Sequence, residues 1–117
     1  MKILICGDRH WTDENTVAET LFPFIMEYPT IIHGGARGAD TMGETIAERF
    51  SLRTTNFRAQ WSRHGNSAGI IRNREMIKAK PDLVLAFHND IENSKGTKDM
   101  IKIAKEAGIE VRVITSG

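Results

Sequence analysis

Apolar residues along this chain gather into short continuous runs instead of alternating with polar ones. The clearest runs are Ile3 to Cys6, Thr30 to His33, Leu83 to Phe87 and Val111 to Ile114. A strand covered on both faces needs apolar side chains pointing both ways, so these runs predict buried strands of a parallel sheet. A weaker fifth run spans Arg53 to Phe57. Its Thr54, Thr55 and Phe57 favour extended backbone, while its polarity assigns it to an edge.

Between the runs the apolar spacing becomes helical. Met42, Ile46, Ala47 and Phe50 share one helical face, with Asp40 as the expected N-cap. Ile70, Ile71 and Ile77 mark a later helix. At about 100° per residue, Arg74 falls between Ile70 and Ile77 on its inward face, Asn73 lies at the margin, and Arg72 points roughly opposite. A guanidinium on such a face needs a partner, either a carboxylate of the protein or a ligand. The last helix reads from Thr97 as N-cap through Met100, Ile101, Ala104 and Ala107 to Gly108 as its C′ stop. The first begins near Asp13 and is expected to break or kink near Phe22 and Pro23, because proline does not sit inside a helix.

The resulting order, βαβαβαβαβ, predicts an α/β doubly wound five-stranded parallel sheet with right-handed crossovers and helices on both faces. The strand orders 3-2-1-4-5 and 2-1-3-4-5 both suit this alternation. The edge character of the third strand favours 3-2-1-4-5. Ligands of such sheets sit beyond the carboxyl ends of the strands, where the winding direction reverses.

Composition narrows the function classes. The 117 residues fit a single domain, 1–117, with no room for a second core. Net charge is +1, without the basic excess of a non-specific nucleic-acid binder. The lone Cys6 sits in an apolar run and reads as a buried, inert thiol. The chain opens directly into a strand and has no apolar stretch of membrane-spanning length, so a cytoplasmic protein with no membrane partner is expected. The histidines lack metal-ligand spacing, and neither a metal nor a cofactor is implied. The apolar stretch Leu21-Phe22-Pro23-Phe24-Ile25-Met26 exceeds the needs of one helix face, which suggests a homo-oligomer.

By topology, the segments that follow the strands open at one edge of the sheet. They are Gly7-Asp8-Arg9-His10-Trp11, His33-Gly34-Gly35-Ala36-Arg37-Gly38-Ala39-Asp40, Gln60-Trp61, and His88 leading to Ser94-Lys95-Gly96-Thr97. Glycines before a helix start let the backbone approach an anion while helix N–H groups face it. Gly34, Gly35, Ala36, Gly38 and Asp40 form one such loop, to which Arg37 adds a charge. Ser94, Lys95, Gly96 and Thr97 form a second, with Asp99 in the following turn. The plain alternative is that these segments only turn the chain and cap helices. Neither has the spacing of a Walker loop. Gly7 and Arg9 join the candidates from the first loop, as do Asn73 and Arg74 from the third helix. Trp11 and Trp61 either stack on a base or close the core.

Taken together, Ile3-Leu-Ile-Cys-Gly-Asp-Arg9 with Trp11, His33-Gly-Gly-Ala-Arg-Gly-Ala-Asp40, Gly69-Ile-Ile-Arg-Asn-Arg-Glu-Met76 and Ser94-Lys-Gly-Thr97 resemble the YspA-like family of the SLOG superfamily. The resemblance covers nearly the whole chain and implies a Rossmann-like fold. That superfamily includes the LOG phosphoribohydrolases, which split the N-glycosidic bond of nucleoside monophosphates, and DprA, which binds single-stranded DNA. By resemblance to the LOG enzymes, Gly96 and Thr97 stand where a PGGxGTxxE loop holds phosphate. Asp99 falls near the catalytic glutamate, and Arg74 near the arginine of the ERK-type helix motif. Asn93-Ser94-Lys95 replaces the Pro-Gly-Gly lead-in, and the acid is one methylene shorter. Gln60 stands where members of the family carry an Asp before the tryptophan.

Three functions follow from this reading. The first is a sensor or sequestering domain for a nucleotide-like small molecule bearing phosphate, such as a nucleoside monophosphate, NAD or ADP-ribose derivative. The second is a nucleotide N-glycosidase, with Asp99 as the carboxylate at the sugar and Arg74 orienting the substrate. The third is a DprA-like single-strand binder, against which the balanced charge and the lack of an aromatic, basic groove both count.

Overall fold

The computed structural model of the protein describes residues 1–117. Its strands are β1 (Lys2–Gly7), β2 (Thr30–His33), β3 (Thr54–Asn56), β4 (Leu83–Phe87) and β5 (Glu110–Ile114). The helices are α1 (Glu14–Leu21), α2 (Ala39–Arg49), a short α3 (Trp61–His64), α4 (Ala68–Lys78) and α5 (Gly96–Glu106). All strand pairs are parallel, in the order β3-β2-β1-β4-β5, which is the expected Rossmann-like arrangement with the polar β3 at one edge.

The apolar runs serve both faces of the sheet. Ile3, Ile5, Ile31, Leu83, Leu85 and Phe87 turn to one side and pack with Val17 and Leu21 of α1 and Ile46 and Ala47 of α2. Leu4, Cys6, Ile32, Val84 and Ala86 turn to the other and meet Met76 of α4 and Met100, Ile101 and Ala104 of α5. The chain therefore winds outward from β1 in both directions, and the reversal falls between β1 and β4. Each fully buried aliphatic side chain in these two layers contributes roughly 1.5–3 kcal/mol.

The helix ends explain where the loops sit. Asp13 caps α1 by accepting from the Thr16 hydroxyl and from the Thr16 N–H, and those bonds hold its carboxyl below the usual range. The chain then leaves the α-helix at Phe22 and runs to Glu27 as a 3-10 helix, with Pro23 in its first turn, so the expected break is present. Two expected caps are replaced. Gly38, not Asp40, occupies the N-cap of α2, because its positive φ of 73° makes the turn. At α5 the N-cap position is Lys95, and the Ser94 hydroxyl accepts from the Lys98 N–H, while Thr97 is buried in the first turn. Gly108 ends α5 with a φ of 75°, as its sequence position implied, but Ala107 is exposed and outside the apolar stripe.

Helix α2 seats on β1 through Gly43. A Cβ at this glycine would lie 2.7 Å from Ile5 Cδ1 and 3.0 Å from its Cγ2. Alanine gains about 1 kcal/mol of helix propensity, whereas crowding a packed core costs about 1–3 kcal/mol. Ile5 is fully buried and has little room to retreat, so crowding wins. Gly43→Ala is expected to lower stability by about 1 kcal/mol, read as a lower denaturant midpoint with an unchanged slope.

Candidate functional site

The backbone of Asp8 organises the carboxyl edge of the sheet. Its N–H donates to Phe87 O at the end of β4 (2.9 Å), and its carbonyl accepts from Ala39 N and Trp11 N (both 3.1 Å). Two glycines make room for it. A Cβ at Gly7, whose φ is 153°, would stand 2.2 Å from Phe87 O, and one at Gly38 would stand 2.3 Å from Asp8 O. Trp11 follows as a core residue, buried, edge-on to Phe87 at 5.6 Å, with its indole N–H donated to Asp13 O.

The loop after β2 is held from within. Gly34 N donates to Asp40 Oδ2 (2.8 Å) and Gly35 N donates to His33 Nδ1 (3.0 Å). Both acceptors are buried. Burial pushes the Asp40 carboxyl up to about 6, against the opposing pull of the Gly34 N–H and the Arg72 guanidinium. Burial also lowers His33 below the ordinary histidine range, against the nearby carboxylates of Glu44 and Glu48. Because Nδ1 accepts, the neutral ring carries its proton on Nε2. That nitrogen lies 3.3 Å from Glu44 Oε2, but the geometry does not align into a hydrogen bond. Beneath the loop, burial and then the Asp40 charge push the Cys6 thiol far above its usual range, as an inert thiol requires.

Helix α4 ties this loop to the start of α5. Arg72 Nη1 donates to Gly34 O (2.8 Å), and its Nε donates to Asn73 Oδ1 (3.2 Å). Asn73 in turn donates to Gly96 O (3.3 Å) and Asp99 Oδ2 (3.1 Å). Arg74 reaches the same Asp99 oxygen at 3.5 Å. The face of α4 is thus rotated from the expected one. Asn73 and Met76 are buried and Arg72 is partly covered, while Arg74 and Ile70 are half exposed. Ile70 lies in the first turn of α4, where little covers it, so it was a poor marker of the inward side. Met76, four residues after Arg72, was the better one.

The remaining candidates are distributed unevenly. Arg9, Arg37, Lys95 and Trp61 are exposed, whereas Ser94 is half-buried by its capping role. Ala36 accepts from the Thr41 hydroxyl (2.7 Å). No three His, Cys, Asp or Glu side chains converge to hold a metal ion. A depression of about 270 Å³ adjoins Gly38 between α1 and α2, lined by Trp11, Glu14 and Thr41 among others. A larger one, about 450 Å³, lies at the opposite edge of the sheet around Ile77, Pro81 and Ile109, away from the glycine loops. His33 and Glu44 were not among the sequence candidates, and Arg72 entered only as one of the cations that could make a basic edge for a single strand. No helix is long and apolar enough to cross a membrane.

A sequence model of the YspA, cpYpsA-related SLOG family matches residues 1–64, the half that carries the Asp8 peptide and the loop after β2. The chain belongs to this family. It is also 38% identical over 118 residues to the Gene 61 protein of Mycobacterium phage D29, an alignment covering 94% of this chain and 93% of that one. In this SLOG protein the bonded network continues past the matched half, through α4 to α5.

Asp40 supplies a direct check on the buried loop. With a native value of about 6 against 3.8 in the unfolded chain, the folded state keeps a proton that the unfolded state has released. Its contribution to stability is therefore present at low pH and falls as pH rises from about 4 to about 6, by roughly 3 kcal/mol. His33 titrates in the opposite sense, and comparison with Asp40→Asn cancels it. Denaturant unfolding should show the wild type losing stability relative to Asp40→Asn across that window. Parallel curves would place the carboxyl at its ordinary value.

Proposed function

We propose that this chain binds a nucleotide-derived, phosphate-bearing small molecule at the carboxyl edge of its sheet, as a sensor or sequestering domain. One observation carries the reading. At the start of α5, Gly96 faces open space, with nothing within 4 Å of where a Cβ would sit, beside the cluster of Asn73, Arg74 and Asp99. The end of an 11-residue helix with free N–H groups, flanked by Lys95 and Arg74, favours an anion there. Gly34 and Gly35 direct their N–H groups inward, so in this reading the β2 loop contributes through Ala36, Arg37 and Gly38 and through its shape. Gly7 and Arg9 border it, with Ser94 and Thr97 supporting the phosphate end. SLOG membership agrees with a nucleotide-related ligand.

A second reading is supported by Asp99 itself. Its carboxylate is oriented by two donors, Asn73 and Arg74, as a group facing an anomeric carbon needs to be. This would make the chain a nucleotide N-glycosidase. The exposed Phe22, Met26 and Tyr28, between 63% and 80% accessible, also support self-association through the 3-10 segment.

The deciding experiment incubates the protein with nucleoside monophosphates, NAD and ADP-ribose, following both thermal melting and released base. A ligand at about a hundred times its Kd stabilises by roughly 2.7 kcal/mol, raising Tm by on the order of 10 °C. A shift without released base is the expected result for a binding domain. Released base that disappears in Asp99→Asn, with the Tm shift retained, establishes the hydrolase instead. In sedimentation, Met26→Asp is expected to reduce any self-association of the wild type.

A further inference from the structure

The two tryptophans are placed in opposite environments. Trp11 is buried and bonded within the core, while Trp61 is 61% exposed on the four-residue α3 between β3 and α4. Helix α4 presents no side chain beneath it. A Cβ at Gly69 would lie 3.7 Å from Trp61 Cη2 and 3.8 Å from Arg72 Nη2. The indole edge and the guanidinium therefore both border one bare stretch of helix. Arg72 donates through Nη1 to Gly34 and through Nε to Asn73, which leaves Nη2 without a partner. An exposed aromatic face next to an unused N–H donor complements a planar heterocycle that carries acceptors on its rim.

We propose that Trp61 and Arg72 form the nucleobase subsite, the ring stacking on the indole while Nη2 donates to a ring nitrogen or exocyclic carbonyl. This rests on the nucleotide reading above and gives the ligand a direction. The base lies at Trp61, the phosphate lies at Gly96, and the bonded pair Arg72 and Asn73 runs between them. Stacking tolerates any base, so Trp61 separates nucleotides from base-free sugar phosphates more than one base from another.

The test measures affinity of wild type, Trp61→Ala and Trp61→Phe for the four ribonucleoside 5′-monophosphates, ADP-ribose and ribose 5-phosphate. Quenching of the exposed tryptophan's fluorescence is the second readout. A nucleotide is expected to bind the wild type at least about tenfold more tightly than ribose 5-phosphate and to quench emission. Trp61→Ala should lose that preference while binding ribose 5-phosphate as before, and Trp61→Phe should keep most of it. Equal weakening for both kinds of probe would assign Trp61 a structural role and overturn the subsite. So would nucleotide affinity unchanged in Trp61→Ala, with the nucleotide reading left standing. If no probe binds the wild type, that reading falls and the subsite falls with it.

Discussion

The backbone of one residue joins most of the elements at the working edge of this fold. The N–H of Asp8 completes the pairing of β1 with β4, and its carbonyl receives the first N–H of α2 and that of Trp11. The two backbone groups of a single residue thus fix where β1 stops, how α2 starts and where the first core aromatic turns in. Its geometry is demanding, since Gly7 and Gly38 leave no space for a Cβ against it. Buried backbone groups without partners are costly, and here both the N–H and the carbonyl of Asp8 are satisfied across the point where the winding reverses. Everything further out, including the glycine loop and the network through α4, is positioned relative to this anchor.

The loop after β2 shows how a glycine-rich turn can be rigid. Glycines are usually associated with freedom, but Gly34 and Gly35 are tied by their N–H groups to Asp40 and His33, and Gly34 is bonded again through its carbonyl to Arg72. Two titratable side chains in a dry environment hold adjacent amides. Each is shifted by burial toward its neutral form, but near neutral pH only His33 is uncharged, while Asp40, at about 6, meets Gly34 mostly as a carboxylate. The Arg72 guanidinium supplies the opposing charge that favours this carboxylate.

The sheet was legible in the sequence because parallel strands buried on both faces must be apolar throughout, as Leu83 to Phe87 are. The weak, threonine-rich β3 revealed its edge position for the same reason. The break at Pro23 and the stop at Gly108 follow from backbone chemistry that does not depend on tertiary contacts. The bonds at the carboxyl edge were less legible. A carboxylate after a glycine turn reads as a cap, yet Asp40 is the second residue of the helix and buried, which the closeness of the β2 loop explains. The face of α4 was misread because isoleucine count was weighted over position, when Met76 with Arg72 and Asn73 defined the inward side. His33 ends an apolar strand and gave no sign in the sequence that its ring would hold the next glycine but one.

The glycines of this chain divide by what would happen to a library of variants scored for cellular abundance. Gly7 and Gly38 combine positive φ with contact against backbone, so every side chain there disturbs folding and such variants would be depleted. Gly96 carries no positive φ and has no atom near its missing Cβ. Larger residues at that position would pass through a folding filter almost unseen. An abundance map would therefore report the first pair as essential and position 96 as free, although of these three it is position 96 that borders space the chain itself leaves unfilled.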